Sequence, residues 1–254
     1  MNTYGLIGYP LGHSFSRKFF TEKFATEGID AQYLNFEIPS IEEFPEIIKN
    51  NPTLRGLNVT IPYKQQVMQY LDDISEEAKA IGAVNVVKVE HLDGFDGKVM
   101  KGVKLTGHNS DVIGFVESIK PLLKPHHKKA LILGTGGASK AIRYGLEKKL
   151  GMKTLFVSRS AREGMITYEE VTAEVLKEYE VIVNCSPVGM YPHVDECPAL
   201  PYEAMNENNL LYDLVYNPLE TLFMKKGAAQ GATVKNGLEM LHLQAIASWE
   251  FWEK

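Results

Sequence analysis

The sequence contains few of the residues that build metal sites and disulfide frameworks. Its 254 residues include two cysteines, Cys185 and Cys197, which have neither C-x-x-C spacing nor the spacing of metal ligands. The seven histidines also lack metal-ligand spacing. We therefore expect a reduced, intracellular protein without a bound metal ion.

A long apolar run and an excess of basic residues are also missing. No apolar stretch approaches the ~20 residues that cross a bilayer, and the N-terminal residues carry neither a basic segment nor a cleavage signal. Asp and Glu number 32 against 27 Lys and Arg, which gives a net charge of -5 and argues against a nucleic-acid-binding surface. The sequence therefore predicts a cytoplasmic protein that binds neither membranes nor nucleic acid.

The most informative stretch that is present is a glycine-rich turn. Residues 130–133 predict a buried strand, which runs into Gly134, Gly136 and Gly137 and then, from Ala138, into a helix. Such a turn brings backbone N–H groups and the positive end of the helix dipole toward a phosphate, as in dinucleotide-binding domains. A tight turn in any α/β domain would use the same residues, so this motif alone leaves both interpretations open.

The residues after the next predicted strand favour NADP over NAD. This strand, residues 154–157, ends at Ser158 and Arg159, with Arg162 close behind, where an NAD-binding unit carries an acid for the ribose hydroxyls. A guanidinium can bind a 2′-phosphate through two hydrogen bonds, whereas a carboxylate would repel it. The alternative interpretation of Arg159 is a solvated arginine at the surface.

Three polar side chains in the N-terminal half stand where α/β proteins bind ligands. Lys64 follows a strand predicted over residues 57–61 and begins a helix predicted over residues 64–71. The carboxyl ends of strands are where open sheets bind ligands. Ser14 and Ser16 stand at the start of another helix, where they either cap the helix or bind a carboxylate.

Four more polar residues interrupt apolar segments or stand at element ends. Asn85 interrupts an apolar strand, so its amide needs hydrogen-bond partners. Asp111 begins a helix, where an acid is favourable without any other role. Ser186 follows a buried strand on the predicted cofactor side. Gln244 has apolar neighbours on the last helix, either as a satisfied buried amide or as a ligand contact.

Taken together, eight segments resemble the shikimate dehydrogenase family, in order and across nearly the whole chain. They are GYPLGHSFS (8–16), LNVTIPYK (57–64), GAVN (82–85), GHNSD (107–111), LGTGGAS (133–139), VNCSPVGM (183–190), YNPLET (216–221) and NGLEMLHLQ (236–244). The resemblance implies two α/β domains: a substrate-binding domain with a mixed sheet, residues 1–106, and an NADP-binding Rossmann domain, residues 107–236. It also implies that residues 237–254, which include the last helix, pack back on the first domain.

The resemblance also implies an activity and roles for individual residues. The activity is the NADP-dependent interconversion of 3-dehydroshikimate and shikimate in chorismate and aromatic amino acid biosynthesis, with Lys64 and Asp111 as the catalytic pair. The substrate-binding residues would be Ser14, Ser16, Asn58, Thr60, Asn85, Tyr216 and Gln244. The cofactor-binding residues would be Gly134, Gly136, Gly137, Ala138, Ser158, Arg159, Arg162, Ser186 and Gly237.

Two departures from the family pattern fall after the second strand of the predicted cofactor domain. Ser158 stands where the family usually has Asn, and the segment 162–173 is short for a full crossover helix. The sequence therefore predicts that one connection of this domain is trimmed.

The chemistry of the reaction fits these residues, and some alternatives stay open. Reducing a ketone requires a proton on oxygen, which a lysine can supply while a carboxylate holds it in place. Lys64 either transfers this proton or mainly orients the substrate and stabilises developing charge. The rival functions are a broader quinate/shikimate dehydrogenase that uses NAD, a methyltransferase, which the Ser158-Arg159 pair counts against, and a catalytically silent NADP sensor. The sequence leaves open whether the protein is a monomer or a homodimer.

Overall fold

The computed structural model describes residues 1–12, 15–92 and 102–254, and the chain falls into two compact units. The first unit comprises Met1–Ser110 with Ala245–Lys254, and the second comprises Asp111–Gln244. The sequence placed these boundaries after residues 106 and 236, whereas the structural division falls after Ser110 and Gln244. The last helix therefore begins in the second unit and ends in the first.

Within the described residues, the first unit contains a mixed sheet of six strands. The strands are β1 Asn2–Gly8, β2 Ala31–Glu37, β3 Leu54–Val59, β4 Asp73–Ile74, β5 Val86–Leu92 and β6 Gly102–His108, in the order β2-β1-β3-β5-β6-β4. Its helices are α1 Phe15–Glu27, α2 Phe44–Asn50 and α3 Glu76–Ile81. β1 pairs in parallel with β2 and β3, whereas β5 runs antiparallel to β3 and β6.

Both faces of this first sheet are covered. Tyr4 and Leu6 of β1 belong to one apolar cluster and Ile7 to the other, as the alternation of side chains along a strand requires. The last helix covers the Tyr4 face, where a Cβ atom on Gly56 would lie 2.5 Å from the Trp252 ring. Trp252 also donates from Nε1 to the Val87 carbonyl at 3.0 Å, so the end of the chain is tied to the sheet.

The second unit contains a parallel sheet of six strands, and all of its residues are described. The strands are β7 Lys129–Leu133, β8 Lys153–Ser158, β9 Met165–Thr167, β10 Val181–Asn184, β11 Leu210–Asp213 and β12 Thr233–Lys235, in the order β12-β11-β10-β7-β8-β9. The helices are α4 Asp111–Ile119, α5 Gly137–Tyr144, α6 Ala173–Glu178, α7 Leu222–Ala229 and α8 Leu238–Glu253, the last shared with the first unit.

The strand order reverses between β7 and β10. The chain adds β8 and β9 on one side of β7 and then returns to add β10, β11 and β12 on the other. Parallel sheets of this kind bind ligands beyond the carboxyl ends of the strands at such a reversal. The predicted glycine turn follows β7, at this point of the sheet.

Two local expectations are tested by these elements. The trimmed connection is confirmed, because residues 159–164 alone join β8 to β9 and form no helix. The helix predicted over residues 64–71 is wrong, since only a 3-10 turn, Gln66–Tyr70, forms there. In an α-helix the Lys64 carbonyl would accept from the Met68 N–H. Here it accepts from the Val84 N–H at 2.7 Å, and the Met68 N–H donates to the Gln65 carbonyl at 3.3 Å.

Candidate active site

The glycine turn has the geometry of a phosphate-binding loop. Gly134 has a φ of +96°, which favours glycine, and Gly136 is the N-cap of α5. A Cβ atom on Gly136 or Gly137 would meet no protein atom within 4 Å, so packing does not require glycine at either position. The N–H groups of the first helical turn, at Gly137 and Ala138, lack intrahelical acceptors, and such a helix start can bind an anion.

Beside this turn, β8 ends in a short loop with two exposed arginines. Ser158 is buried at the end of the strand, and its Oγ accepts from the Ser160 N–H at 3.4 Å. Arg159 and Arg162 are exposed. Burial raises the pKa of Tyr168, and the charge of Arg159 opposes this shift, so the guanidinium lies near that phenol. Two cations are thus available to an anion at this end of β8.

The loops after β10 and β11 are held by a buried acid that the sequence did not indicate. Asp213 has no exposed surface; its carboxylate accepts from Asn184 Nδ2 at 2.9 Å, Thr221 Oγ1 at 2.6 Å and the Val215 N–H at 3.0 Å. Asn184 Oδ1 in turn accepts from the Ser186 hydroxyl at 2.6 Å. Burial raises the pKa of Asp213 to about 6, and these hydrogen bonds oppose the rise.

This network brings Ser186 to the glycine turn. The Ser186 side chain lies 3.4 Å from the position of a Cβ atom on Gly134. Gly237, also predicted to bind the cofactor, has a packing reason for being glycine, because a Cβ atom there would overlap the Leu214 carbonyl. Its N–H donates to the Val215 carbonyl at 3.2 Å.

In the first unit, three of the predicted substrate-binding residues join one chain of hydrogen bonds. Asn58, on β3, accepts from the Tyr33 hydroxyl at 2.7 Å and donates to Ser248 Oγ at 2.9 Å. Ser16 hydrogen-bonds to the same Tyr33 hydroxyl. Asn85, just before β5, is reached from Ser248 through one further serine.

That serine, Ser110, lies between Ser248 and Asn85. The Ser110 and Ser248 Oγ atoms are 3.1 Å apart. Asn85 Nδ2 donates to Ser110 Oγ at 3.1 Å, and the Ser110 N–H donates to Asn85 Oδ1 at 2.7 Å. Tyr33, Ser110 and Ser248 were missed by the sequence analysis. The signal for Ser248 was a hydroxyl on the otherwise apolar face of the last helix.

Thr60 and Lys64, which were also predicted from the sequence, follow the carboxyl end of β3. Thr60 is half-buried, and its N–H donates to the Ile7 carbonyl at 2.9 Å. Lys64 is half-buried in the turn that follows. Ser14 lies outside the described residues.

In the second unit, α4, which begins at Asp111, crosses α8 close to Gln244. Asp111 is buried at the first position of α4, and Gly114 follows one turn later on the same side of the helix. A Cβ atom on Gly114 would lie 2.5 Å from the Met240 carbonyl and 3.0 Å from the Gln244 nitrogen, so α4 and α8 cross closely there. Tyr216 is 37% exposed in the loop after β11.

The predicted catalytic pair is divided between the units. Lys64 belongs to the first and Asp111 to the second, so their pairing stays a prediction from the sequence. Among residues 1–12, 15–92 and 102–254, no group of three or more His, Cys, Asp or Glu side chains could hold a metal ion. Over the same residues, no helix is both long enough and apolar enough to span a membrane.

Comparisons with known proteins identify relatives of this chain. Residues 6–87 match the family model described as the shikimate dehydrogenase substrate binding domain. A shikimate dehydrogenase (NADP(+)) of Methanococcus maripaludis is 36% identical, over 98% of this chain and 90% of that protein. One of Caldicellulosiruptor saccharolyticus is 34% identical, over 97% of this chain and 90% of that protein. The chain belongs to the shikimate dehydrogenase family.

A solved structure extends this similarity to the fold. The shikimate 5-dehydrogenase of Thermus thermophilus, in complex with NADP(H) and shikimate, superposes with a TM-score of 0.82 and 30% identity, covering 99% of this chain and 93% of that one. The predicted family and fold class are therefore confirmed. In this member of the shikimate dehydrogenase family, the glycine turn lies between β7 and α5, at the reversal of the strand order.

Proposed function

We propose that this chain interconverts 3-dehydroshikimate and shikimate with NADP as cofactor, a step of chorismate biosynthesis. The observation that carries the proposal is the 34–36% identity to NADP(+)-dependent shikimate dehydrogenases over 97–98% of the chain. The cytoplasmic location and the choice between monomer and homodimer stay predictions from the sequence.

The second unit would hold the cofactor, which supplies the hydride when bound. The N–H groups at Gly137 and Ala138 would bind its pyrophosphate, with Gly134, Gly136 and Ser186 lining the approach. Arg159 and Arg162 are exposed beyond β8, where they would bind the 2′-phosphate. Ser158 and Gly237 would complete the cofactor contacts.

The substrate would be held by the polar side chains that the family resemblance assigns to it. Ser14 and Ser16 would bind the carboxylate, with Ser16 in the first turn of α1, and Tyr216 would lie near it. Amides and hydroxyls suit the ring hydroxyls because each can both donate and accept. These contacts are assigned to Asn58, Thr60, Asn85, Asp111 and Gln244.

Lys64 and Asp111 would handle the proton of the reacting oxygen. A lysine ammonium donates to the oxygen that becomes the alcohol, and a carboxylate orients both the lysine and a neighbouring hydroxyl. The half-buried position of Lys64, at the carboxyl end of β3, suits this role because the local dielectric is lower than in water and strengthens the stabilisation of developing negative charge.

The test is a comparison of initial rates with two acids and two cofactors. Purified protein is given shikimate or quinate, each with NADP or NAD, and reduced cofactor is followed by absorbance. We expect the highest kcat/KM for shikimate with NADP. Faster quinate oxidation with NAD would replace the proposal by the broader quinate/shikimate dehydrogenase, and cofactor binding without turnover of either acid would favour an NADP sensor.

A further inference from the structure

Ser248 lies in the first unit between two asparagines predicted to bind the substrate. Its Oγ is 2.9 Å from Asn58 Nδ2 and 3.1 Å from the Ser110 Oγ, which in turn hydrogen-bonds to Asn85. We propose that Ser248, together with Tyr33, is a positioning residue that fixes the side-chain amide of Asn58 for substrate binding. This inference rests on the proposed function, because it assigns the role of Asn58 in that substrate site.

Tyr33 determines which way the Asn58 amide points. Its ring is buried and stacks on Phe20, with ring centroids 4.8 Å apart and planes at 12°. Burial raises the pKa of Tyr33 well above its usual value, so the phenol keeps its proton and donates to Asn58 Oδ1 at 2.7 Å. The opposite side of the amide, Nδ2, therefore faces Ser248.

Ser248 completes the constraint from the opposite side. It accepts from one N–H of Asn58, which leaves that amide one N–H and one oxygen lone pair for other partners. The Ser248 hydroxyl can donate a hydrogen bond to Ser110 Oγ. That oxygen also accepts from Asn85 Nδ2 at 3.1 Å, and the Ser110 N–H donates to Asn85 Oδ1 at 2.7 Å. Ser110 thus holds both amide atoms of Asn85, and the direct contact of Ser248 with an asparagine is with Asn58.

The helix that carries Ser248 is itself held firmly. Trp252 lies one turn further along α8, where its ring packs on Gly56 and its Nε1 donates to the Val87 carbonyl at 3.0 Å. Ser248 has no exposed surface, so it cannot bind a ligand directly. Its effect on a substrate must pass through Asn58, to which it bonds directly, and this distinguishes a positioning residue from a binding one.

The first test is the Ser248→Ala variant in steady-state kinetics. Without this hydroxyl, one N–H of Asn58 loses its acceptor, and we expect kcat/KM for shikimate to fall about 3- to 10-fold, the usual worth of a buried hydrogen bond. The loss should appear mainly as a higher KM for shikimate, with the KM for NADP unchanged. Tyr33→Phe should produce the same selective change.

The matched control is Ser118→Ala in the second unit. Ser118 is equally buried and hydrogen-bonds to the Tyr212 hydroxyl at 2.6 Å and to the Phe115 carbonyl at 3.0 Å. Its loss should lower the melting temperature as Ser248→Ala does, without changing the KM for shikimate. An equal rise in KM for shikimate in both variants would show a general loss of stability and overturn the inference.

The double variants separate positioning from any other effect. Because Ser248 and Tyr33 act through Asn58, neither Ser248→Ala nor Tyr33→Phe should lower kcat/KM further in an Asn58→Ala background. A full additional loss in that background would overturn the inference, as would unchanged kinetics of both single variants. Failure of the proposed function is seen separately, in a wild-type protein that does not oxidise shikimate.

A spectroscopic measurement follows the Asn58 amide itself. In nitrogen-15 spectra, the Asn58 side-chain signal, assigned from its loss in Asn58→Asp, should exchange slowly with solvent in the wild type and faster in Ser248→Ala. Equal exchange rates in both proteins would contradict the proposed constraint, whatever the substrate.

Discussion

The two units hold their buried polar groups with different chemistry. In the first, the chain from Ser16 through Tyr33 to Asn58 and on to Asn85 consists of neutral hydroxyls and amides. In the second, the loops after β10 and β11 are tied to Asp213, a carboxylate whose pKa burial raises to about 6. A neutral network keeps its donors and acceptors over a wide pH range, whereas one centred on an acid changes when the acid is protonated.

This difference matches the proposed division of labour. The neutral network would orient asparagines toward the ring hydroxyls of the substrate, while the acid-centred network would hold loops beside a cofactor. Changes in the neutral network should therefore affect the substrate, and changes in the loops beside the glycine turn should affect the cofactor. The predictions below test this separation, beginning with the largest effect.

Removing the proposed proton donor should have the largest effect. Lys64→Ala should lower kcat for shikimate oxidation at least ~10²-fold, the low end of general acid–base contributions, with a modest change in KM. Stopped-flow or steady-state absorbance of NADPH gives the value.

Lys79→Ala is the control, since this lysine is exposed on α3 and bonds Glu76 at 2.7 Å. It should retain wild-type turnover. Near-normal kcat in Lys64→Ala would remove this residue from the catalytic assignment.

The next effect concerns the cofactor. Arg159→Ala should raise the KM for NADP about 10-fold and leave the KM for NAD unchanged, because a charge-assisted hydrogen bond to the 2′-phosphate is lost. Initial rates at varied cofactor concentration measure both constants.

Arg143→Ala is the matched control in the same unit. Arg143 lies on α5 and forms an ion pair with Glu147 at 2.9 Å. It should alter neither constant. If Arg159→Ala raised both cofactor constants equally, the residue would not select the phosphate.

The smallest effect is on stability and depends on pH. The pKa of Asp213 in the folded protein, about 6, lies above the ordinary value of 3.8, so its stabilising contribution is complete below pH 3.8 and is lost as the pH rises through 6. Between pH 5 and 7.5 this residue should lower the free energy of unfolding by about 1 kcal/mol. The loss should be absent in Asp213→Asn, as measured by urea unfolding followed by circular dichroism.

The first unit supplies an internal reference for this measurement. Both tryptophans, Trp249 and Trp252, belong to it, and their fluorescence reports on its aromatic cluster. Ser248→Ala should leave the pH dependence of the circular dichroism transition as in the wild type. An unchanged pH dependence in Asp213→Asn would show that another group carries it.

The sequence could predict those features that depend on local patterns. A buried strand was predicted before Ser186, where β10 ends at Asn184, and α4 begins at Asp111 as expected, because apolar runs and helix starts are local signals. The glycine turn after β7 was also readable, since strand, turn and helix follow one another directly. Family resemblance added the roles of individual residues, which no local pattern contains.

What the sequence could not give depends on partners far along the chain. Lys64 does not begin an α-helix because its carbonyl accepts a hydrogen bond from the Val84 N–H. Ser248 lies among apolar residues of the last helix, yet its partners are 190 and 138 residues away. Asp213 ends an apolar strand, and its partner Asn184 is 29 residues away at the end of the neighbouring strand. The spacing of apolar residues along the sequence does not reveal such contacts.

The most direct test of the central claim is one crossed kinetic experiment, in which the KM values for shikimate and for NADP are measured side by side in Ser248→Ala and Arg159→Ala. The account predicts that Ser248→Ala raises only the KM for shikimate and Arg159→Ala only that for NADP. Equal changes of both constants in both variants would contradict the assignment of substrate contacts to one network and cofactor contacts to the other.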